Sequence, residues 1–184
     1  MERSIKITLF ALALAGFAVM AIVGLPTEVK AANENTLTFD VACDCRTANW
    51  GSGNRGEVFI VSGKIFPAGT LPSGTATNDP TLPVNGIAPI GNWTCRGQSA
   101  GALPPAYSLT PFAFNTQYFI LNPDRALTVE GFTVLPEGER LAVTGGIGSF
   151  RGASGDLEEG PLGTNATGCP NFRAKFTFQP GSLR

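Results

Sequence analysis

The sequence predicts an all-β fold in a single domain, and three observations support this prediction. Beyond the first 31 residues, no stretch longer than a turn has the apolar spacing of an amphipathic helix. Short runs of alternating apolar and polar residues are separated by Gly, Pro, Asn and Asp, as in strands joined by turns. About 150 residues then remain, enough for one core and too few for two domains. These patterns leave open a sandwich or a closed barrel.

The N-terminal residues 1–31 have the composition of a signal peptide. Arg3 and Lys6 precede an uncharged run from Ile7 to Leu25, and Val29-Lys30-Ala31 has the small residues that a signal peptidase accepts. We expect cleavage near Ala31, a mature domain over residues 32–184 that is secreted or periplasmic, and no membrane contact after cleavage. An uncleaved anchor is the alternative, because the apolar run is nearly long enough to cross a bilayer.

Four cysteines follow the predicted cleavage site, and an even number in an exported domain predicts disulfides. They are Cys43, Cys45, Cys95 and Cys169. Cys43 and Cys45 share a face of the predicted strand Leu37–Cys45, where a direct bond between them would be strained. Two arrangements remain, 43–95 with 45–169 or 43–169 with 45–95. A zinc site is not expected, because the Cys-x-Cys spacing is short and the chain has no histidine.

The next predicted elements are a strand over Glu57–Phe66 and a long loop. Between Pro67 and Gly91 the chain carries five prolines and four glycines. Because strands are expected on both sides, this segment is interpreted as a loop of the domain that covers one of its ends.

The second half of the chain predicts an antiparallel meander. Its turns are expected at residues 122–125 and 136–139, where Pro, Asn, Asp and Gly are concentrated. The final strand places aromatic residues on one face and basic residues on the other. The expected strands are Gln117–Leu121, Ala126–Phe132, Arg140–Thr144 and Phe172–Phe178.

A glycine-rich run follows the strand that ends at Thr144. Glycine reaches positive φ without a Cβ clash, so the run is expected to shape a turn. A nucleotide-binding loop is not expected, since the glycine spacing is one residue too long and no apolar helix follows. The residues of this motif are Gly145, Gly146, Gly148, Phe150, Gly152, Ala153 and Gly155.

The strand Arg140–Thr144 and the glycine run together resemble a segment of dirigent proteins, a strand followed by Gly-Gly-Thr-Gly-x-Phe-x-x-Ala-x-Gly. The hairpin Tyr118–Phe132 and the final aromatic strand are also similar. The resemblance implies a single eight-stranded antiparallel barrel of the allene oxide cyclase/dirigent kind. The chain is most similar to secreted bacterial members of unassigned function, while its N-terminal half departs from plant dirigent sequences.

The resemblance also implies a kind of chemistry. Dirigent proteins steer the coupling of phenoxy radicals, and allene oxide cyclases close a ring on an unstable epoxide, both in an apolar cavity without metal or cofactor. Both assemble as trimers, which implies a homotrimer here. The chain has no histidine, which excludes a Ser-His-Asp triad and a His-Glu-x-x-His zinc site.

The candidate catalytic residues are Tyr118, Glu130 and Arg140. Dirigent proteins use an aspartate and an arginine just before the glycine run. Here Phe132 stands in the place of the aspartate and Glu139 in that of the arginine, with Arg140 adjacent. The plain alternatives are that Tyr118 packs against its neighbours and that Glu130 and Arg140 form a solvated cross-strand pair.

Two further patterns concern Asp and Asn residues. Asp40 and Asp44 share a face of the first strand and are interpreted as solvent-facing positions of an edge strand. The triplets that begin at Asn92 and Asn165 are glycosylation sequons, which have meaning only in a eukaryotic source.

Because the family's acid is missing, the sequence favours an exported barrel that binds a small apolar or aromatic ligand without catalysis, or that serves a structural role. The alternative is a cofactor-independent protein that steers coupling or cyclisation in the barrel cavity. No cofactor or metal is expected. Nucleic acid is not an expected partner, because residues 32–184 carry ten Lys plus Arg against twelve Asp plus Glu.

Overall fold

The computed structural model describes residues 35–51, 54–101, 112–134 and 140–183. The predicted signal peptide and the turn expected at 136–139 lie outside the described residues. The predicted all-β class is confirmed, since strands joined by turns and loops make up the described chain, with a short 3-10 turn at Gly148–Phe150. The strands are β1 (Thr36–Cys43), β2 (Val58–Pro67), β3 (Gly74–Thr75), β4 (Gly91–Gly101), β5 (Phe112–Asn122), β6 (Arg125–Val134), β7 (Arg140–Ile147), β8 (Gly155–Thr164) and β9 (Pro170–Phe178).

Eight of these strands close into an antiparallel barrel. β1, β2, β4, β5, β6, β7, β8 and β9 pair in chain order, and β9 also pairs with β1, which closes the ring. The short strand β3 is an addition, paired in parallel with the end of β8. The eight-stranded barrel that the resemblance implied is therefore confirmed.

The barrel interior is filled by alternate side chains of the strands. Phe39 and Val41 of β1 and Phe176 of β9 are almost completely buried, as strand alternation requires for an inward face. Phe119 meets Phe176 edge to face, with ring centroids 4.9 Å apart. The indole nitrogen of Trp93 donates to Gln117 Oε1 at 2.7 Å, so this side-chain oxygen has a hydrogen-bond partner inside the barrel.

A second apolar cluster lies outside the barrel, under the long segment between β2 and β4. Ala42, Phe66 and Leu162 point outward from their strands and meet Leu71 and Val84 of the segment. The segment was expected to cover one end of the domain. Its Leu71 and Val84 pack along the wall formed by β1, β2 and β8, because these outward apolar side chains need cover there. Its Asn78 and Asp79 contact Asn171 and Arg46 at one end of the barrel, so the segment reaches that end as well.

Asp40 corrects the prediction of a solvent-facing edge strand. β1 pairs with β2 on one side and β9 on the other, so it is not an edge. The Asp40 side chain is 0% exposed; its Oδ1 accepts from Arg173 Nε at 2.8 Å, and its Oδ2 accepts from the Leu71 amide at 3.0 Å. The carboxylate raises the pKa of Arg173 by hydrogen bonding.

Asp44, likewise expected in solvent, is only 7% exposed. It lies in the turn after β1, where its carboxylate accepts from Arg46 Nε at 2.8 Å. Arg46 Nη1 also reaches Asp79 Oδ2 of the long segment at 2.9 Å. Hydrogen bonding to Arg46 lowers the pKa of both Asp44 and Asp79. Arg46 therefore ties the turn after β1 to the long segment.

A disulfide joins Cys45 to Cys169 at the same end of the barrel. Cys45 lies just beyond the last residue of β1, so the strand is shorter than predicted. The bond matches the predicted arrangement that pairs 45 with 169, and excludes the one that pairs 43 with 169. Cys43 and Cys95 are both buried in the core.

Buried asparagines support this end of the barrel. Asn165 Nδ2 donates to the Cys43 carbonyl at 2.8 Å and to Asn171 Oδ1 at 3.1 Å. Asn171 Nδ2 in turn donates to Asn78 Oδ1 of the long segment at 3.0 Å. The Asn165 amide is therefore engaged inside the fold, and a glycan on this sequon is incompatible with the folded chain. Asn92, the other sequon residue, is exposed.

We expect Asp40→Asn to lower the free energy of unfolding by about 2–3 kcal/mol, because the charged partner of Arg173 is lost from a buried site. Urea denaturation measures the change. Lys175→Gln, an exposed position on the strand of Arg173, is the control and should stay within about 0.5 kcal/mol of the wild type. Equal losses in both variants would contradict a special role for Asp40.

We expect acid to weaken the Arg46 contacts. The pKa values of Asp44 and Asp79 are lower in the folded chain than their ordinary value of 3.8. Their stabilisation is therefore complete above about pH 4 and is lost as the pH falls through the folded values. The melting temperature of Arg46→Gln should lie below that of the wild type at pH 6 and approach it at pH 2. A constant difference across this range would contradict the assignment.

Candidate functional site

One side of the barrel carries a large apolar outer surface, which we call the β5 wall. It consists of the outer faces of β4, β5 and β6 and the first half of β2. Large apolar side chains on this wall are 38% to 55% exposed. They are Val58, Ile60, Phe114, Tyr118, Ile120 and Phe132. Exposed apolar side chains grouped on one face and rimmed by polar residues mark interaction sites in soluble proteins.

The strand register aligns the polar side chains of the β5 wall in a row. Arg96 of β4 is opposite Thr116 of β5, and Thr116 is opposite Glu130 of β6. Tyr118 and Phe114 lie on β5 on either side of Thr116. A basic and an acidic side chain thus flank a central strand that carries two aromatic rings.

A cleft of about 520 Å³ opens on this wall. Its apolar lining comes from Val58, Phe114 and Tyr118, and its polar lining comes from both neighbouring strands. The complete set of lining residues is Val58, Arg96, Gly97, Gln98, Phe114, Asn115, Thr116, Tyr118, Glu130 and Gly131. The cleft can hold a flat apolar molecule and offer it both hydrogen-bond donors and acceptors.

Two glycines form part of the cleft floor. In the strand register, Gly97 of β4 and Gly131 of β6 lie on either side of Asn115 of β5. Because glycine has no side chain, no neighbouring side chain lies directly beside the buried Asn115. The ring of Phe59 occupies the space that a Cβ on Gly97 would need, and the Phe114 carbonyl oxygen would lie 2.7 Å from that Cβ. A side chain at position 97 is therefore excluded by its neighbours.

The structure brings together two of the three predicted site residues. Tyr118 is 40% exposed and Glu130 is exposed, and both line the cleft on the outside of the barrel. Arg140 begins β7 opposite Phe132, whereas Glu130 is opposite Ala142, so Arg140 and Glu130 are not directly paired. Catalytic roles for these residues stay predictions.

Sequence reasoning did not identify Arg96, Gln98 or Thr116 as site residues. A signal was present in residues 92–98, where polar side chains alternate with Trp93, Cys95 and Gly97 as in a half-buried strand. That alternation would have placed Arg96 and Gln98 on one outer face.

The glycine motif lies outside the cleft lining. Its first residues end β7, and the rest form the turn that leads to β8. Gly148 has φ +64°, and a Cβ there would collide with the Asp124 backbone of the neighbouring turn. Beside it, the Arg125 guanidinium lies over the Phe150 ring at 5.3 Å. The motif therefore holds two turns together at one end of the barrel.

The described residues contain neither a cluster of metal ligands nor a membrane-spanning helix. No group of three or more His, Cys, Asp or Glu side chains could hold a metal ion within that part of the chain. Across the same residues, no helix is both long and apolar enough to cross a bilayer.

Comparison with solved structures supports the fold. The chain is similar to a pyocyanin demethylase, with 16% identity and a TM-score of 0.53 over 78% of this chain and 99% of the other. It is also similar to a pterocarpan synthase dirigent protein, with 12% identity and a TM-score of 0.52 over 78% of this chain and 86% of the other. No family model and no curated protein sequence matches the chain. The dirigent-like barrel fold is thus shared, at identities that carry no activity with them.

We expect Gly97→Ala to destabilise the barrel by about 1–3 kcal/mol, because the added methyl group must displace the Phe59 ring and meets the Phe114 carbonyl. Thermal and urea denaturation measure the effect. Gly160→Ala is the matched control, since a Cβ there meets only the Arg173 carbonyl oxygen at 4.0 Å. If both variants are equally stable, Gly97 does not shape the wall.

Proposed function

We propose that this chain is an exported barrel protein that binds a small apolar or aromatic molecule on the β5 wall without transforming it. The observation that carries the proposal is the cleft of about 520 Å³. Its size falls within the range of about 300–1,000 Å³ typical of small-molecule sites. Its lining combines the apolar side chains of Val58, Phe114 and Tyr118 with polar and charged groups from both neighbouring strands.

The side chains of the cleft suggest how a guest is held. The exposed ring of Tyr118 offers a face for stacking, and Val58 and Phe114 extend the apolar surface. Arg96 and Glu130 flank the centre of the cleft and can orient a hydroxyl or carbonyl group on the guest. A planar ring system with one polar edge fits this arrangement.

Binding without catalysis is favoured by where the ionisable groups lie. Glu130 is exposed, so the cleft does not offer the desolvated acid that acid–base catalysis uses. The barrel interior, where the resemblance places dirigent chemistry, holds large side chains such as Phe39, Phe119 and Phe176, each at most 1% exposed. Steering of a reactive guest inside the barrel is therefore the second candidate.

Two further observations support the proposed export and the proposed kind of guest. A disulfide such as Cys45–Cys169 persists in oxidising compartments, which agrees with export. The two similar structures are named for a demethylase of pyocyanin and a synthase of pterocarpan, both small organic molecules. A place among secreted bacterial members of the dirigent group is consistent with both points.

We expect 2-naphthol, used as a probe, to bind the mature protein saturably at one site per chain in isothermal titration calorimetry. Tyr118→Ala should weaken binding at least tenfold because the stacking surface is lost, an effect of about 1.4 kcal/mol. Tyr118→Phe keeps the ring and should bind nearly as well as the wild type. Leu82→Ala, an exposed apolar position on the long segment, is the control and should leave binding unchanged.

Two results would contradict the proposal. If Tyr118→Ala and Leu82→Ala bind the probe equally well, the cleft is not the site. If the protein changes the handedness of products formed from oxidase-generated phenoxy radicals, compared with a protein-free reaction on a chiral column, then the chain steers chemistry rather than only binding.

A further inference from the structure

The polar row of the cleft runs between two aromatic rings. Arg96, Thr116 and Glu130 are opposite one another on β4, β5 and β6. On β5 itself, Phe114 lies on one side of this row and Tyr118 on the other, and both are exposed. The two aromatic residues are four positions apart, about 13 Å along the strand. A planar guest above Thr116 therefore has aromatic surface on both of its sides.

The two charges of this row are not paired with each other or with any other described residue. Arg96 and Glu130 are both exposed, and within the described chain neither takes part in an ion pair. The outer neighbours of the row are uncharged. Ile60 of β2 is opposite Arg96, and Ala142 of β7 is opposite Glu130. Both charges are therefore available to a guest in the cleft.

The separation of the two charges lets each hold a different group of one guest. Two strand spacings of about 4.8 Å place the Cα atoms of Arg96 and Glu130 about 10 Å apart. Side chains on the outside of a closed barrel diverge, which keeps the two charged groups apart. In 0.1 M salt the Debye length is about 10 Å, so the two charges act nearly independently. The cleft thus has a positive end and a negative end.

We propose that the guest of the cleft is a planar aromatic acid, with its carboxylate at one end of its polar edge and a hydrogen-bond donor at the other end. The guanidinium of Arg96 binds the carboxylate, whose two oxygens match its fork of N–H donors. The carboxylate of Glu130 accepts a hydrogen bond from a hydroxyl or amino group of the guest. This inference rests on the proposed binding function and names the class of guest.

The order of the charges also selects against related molecules. A neutral phenol engages only one end of the row as an ionic hydrogen-bond partner, and a hydrocarbon engages neither. A second carboxylate on the guest would lie beside Glu130 and be repelled, so a diacid binds less well than an acid with a hydroxyl group. The two ends therefore fix both the class of guest and its direction across the strands.

The test compares three naphthalene probes that differ in one group each. In 7-hydroxy-2-naphthoate the carboxylate and the hydroxyl lie at the two ends of one edge of the ring system. Methyl 7-hydroxy-2-naphthoate lacks the charge, and 7-methoxy-2-naphthoate lacks the donor. In isothermal titration calorimetry at neutral pH and low salt, the mature protein should bind 7-hydroxy-2-naphthoate about fivefold more tightly than either analogue.

Two variants assign each preference to one residue. Arg96→Met should remove the preference for the carboxylate over its methyl ester and keep the preference for hydroxyl over methoxy. Glu130→Met should do the reverse. Lys175→Met and Glu158→Met remove the same kinds of charge from exposed positions on β9 and β8, and should keep both preferences. Circular dichroism and melting temperature confirm that every variant is folded.

The other results overturn the inference, and they separate it from the proposed function. If the wild type binds all three probes equally while 2-naphthol binding still depends on Tyr118, the cleft binds aromatic guests but does not select an acid. If Arg96→Met or Glu130→Met changes both preferences or neither, the two ends do not act as assigned. If neither 2-naphthol nor any of the three probes binds, the proposed function fails and this inference fails with it.

Discussion

The position of the long segment against the barrel depends on the buried carboxylate of Asp40. A carboxylate removed from water costs several kcal/mol unless charged or hydrogen-bonded partners replace the solvent. Here those partners come from distant parts of the chain, Arg173 on β9 and the Leu71 amide on the long segment. The charge is satisfied only when the barrel has closed beside β1 and the segment lies on the wall. Asp40 thereby couples barrel closure to the position of the segment.

That coupling explains why the two sides of the barrel differ. Once Leu71 is held at Asp40, the segment covers Ala42 and Phe66, and Arg46 holds its later part through Asp79. A segment fixed on this side cannot also cover the opposite side, so the β5 wall keeps its apolar residues exposed. The proposed site for a small guest on the β5 wall follows from this asymmetry.

The sequence predicted the strands whose inward face is apolar, and missed those stabilised by their neighbours. β2 and β9 alternate clearly and lie within one or two residues of the prediction. β8 reads Gly-Asp-Leu-Glu-Glu-Gly-Pro-Leu-Gly-Thr, a composition that indicates a loop, and it is a strand because β7 and β9 pair with it. Asp40 was misassigned because its covering amide lies 31 residues away, beyond any local pattern. For the same reason the sequence named Tyr118 and Glu130 but not Arg96, whose role depends on register across three strands.

The aromatic packing of the barrel interior affects where a guest can bind. Phe176 contacts Phe39 and Phe119 edge to face and stacks on Phe178, with centroid distances of 4.9 to 6.0 Å. A guest could enter this region only by displacing aromatic rings from a packed core, and losing even one such ring from a core costs about 3–5 kcal/mol. A guest on the β5 wall displaces water from exposed apolar and polar side chains and disturbs no packed core. The energetic difference favours the outer cleft for binding, even though the fold resembles barrels whose chemistry is expected inside.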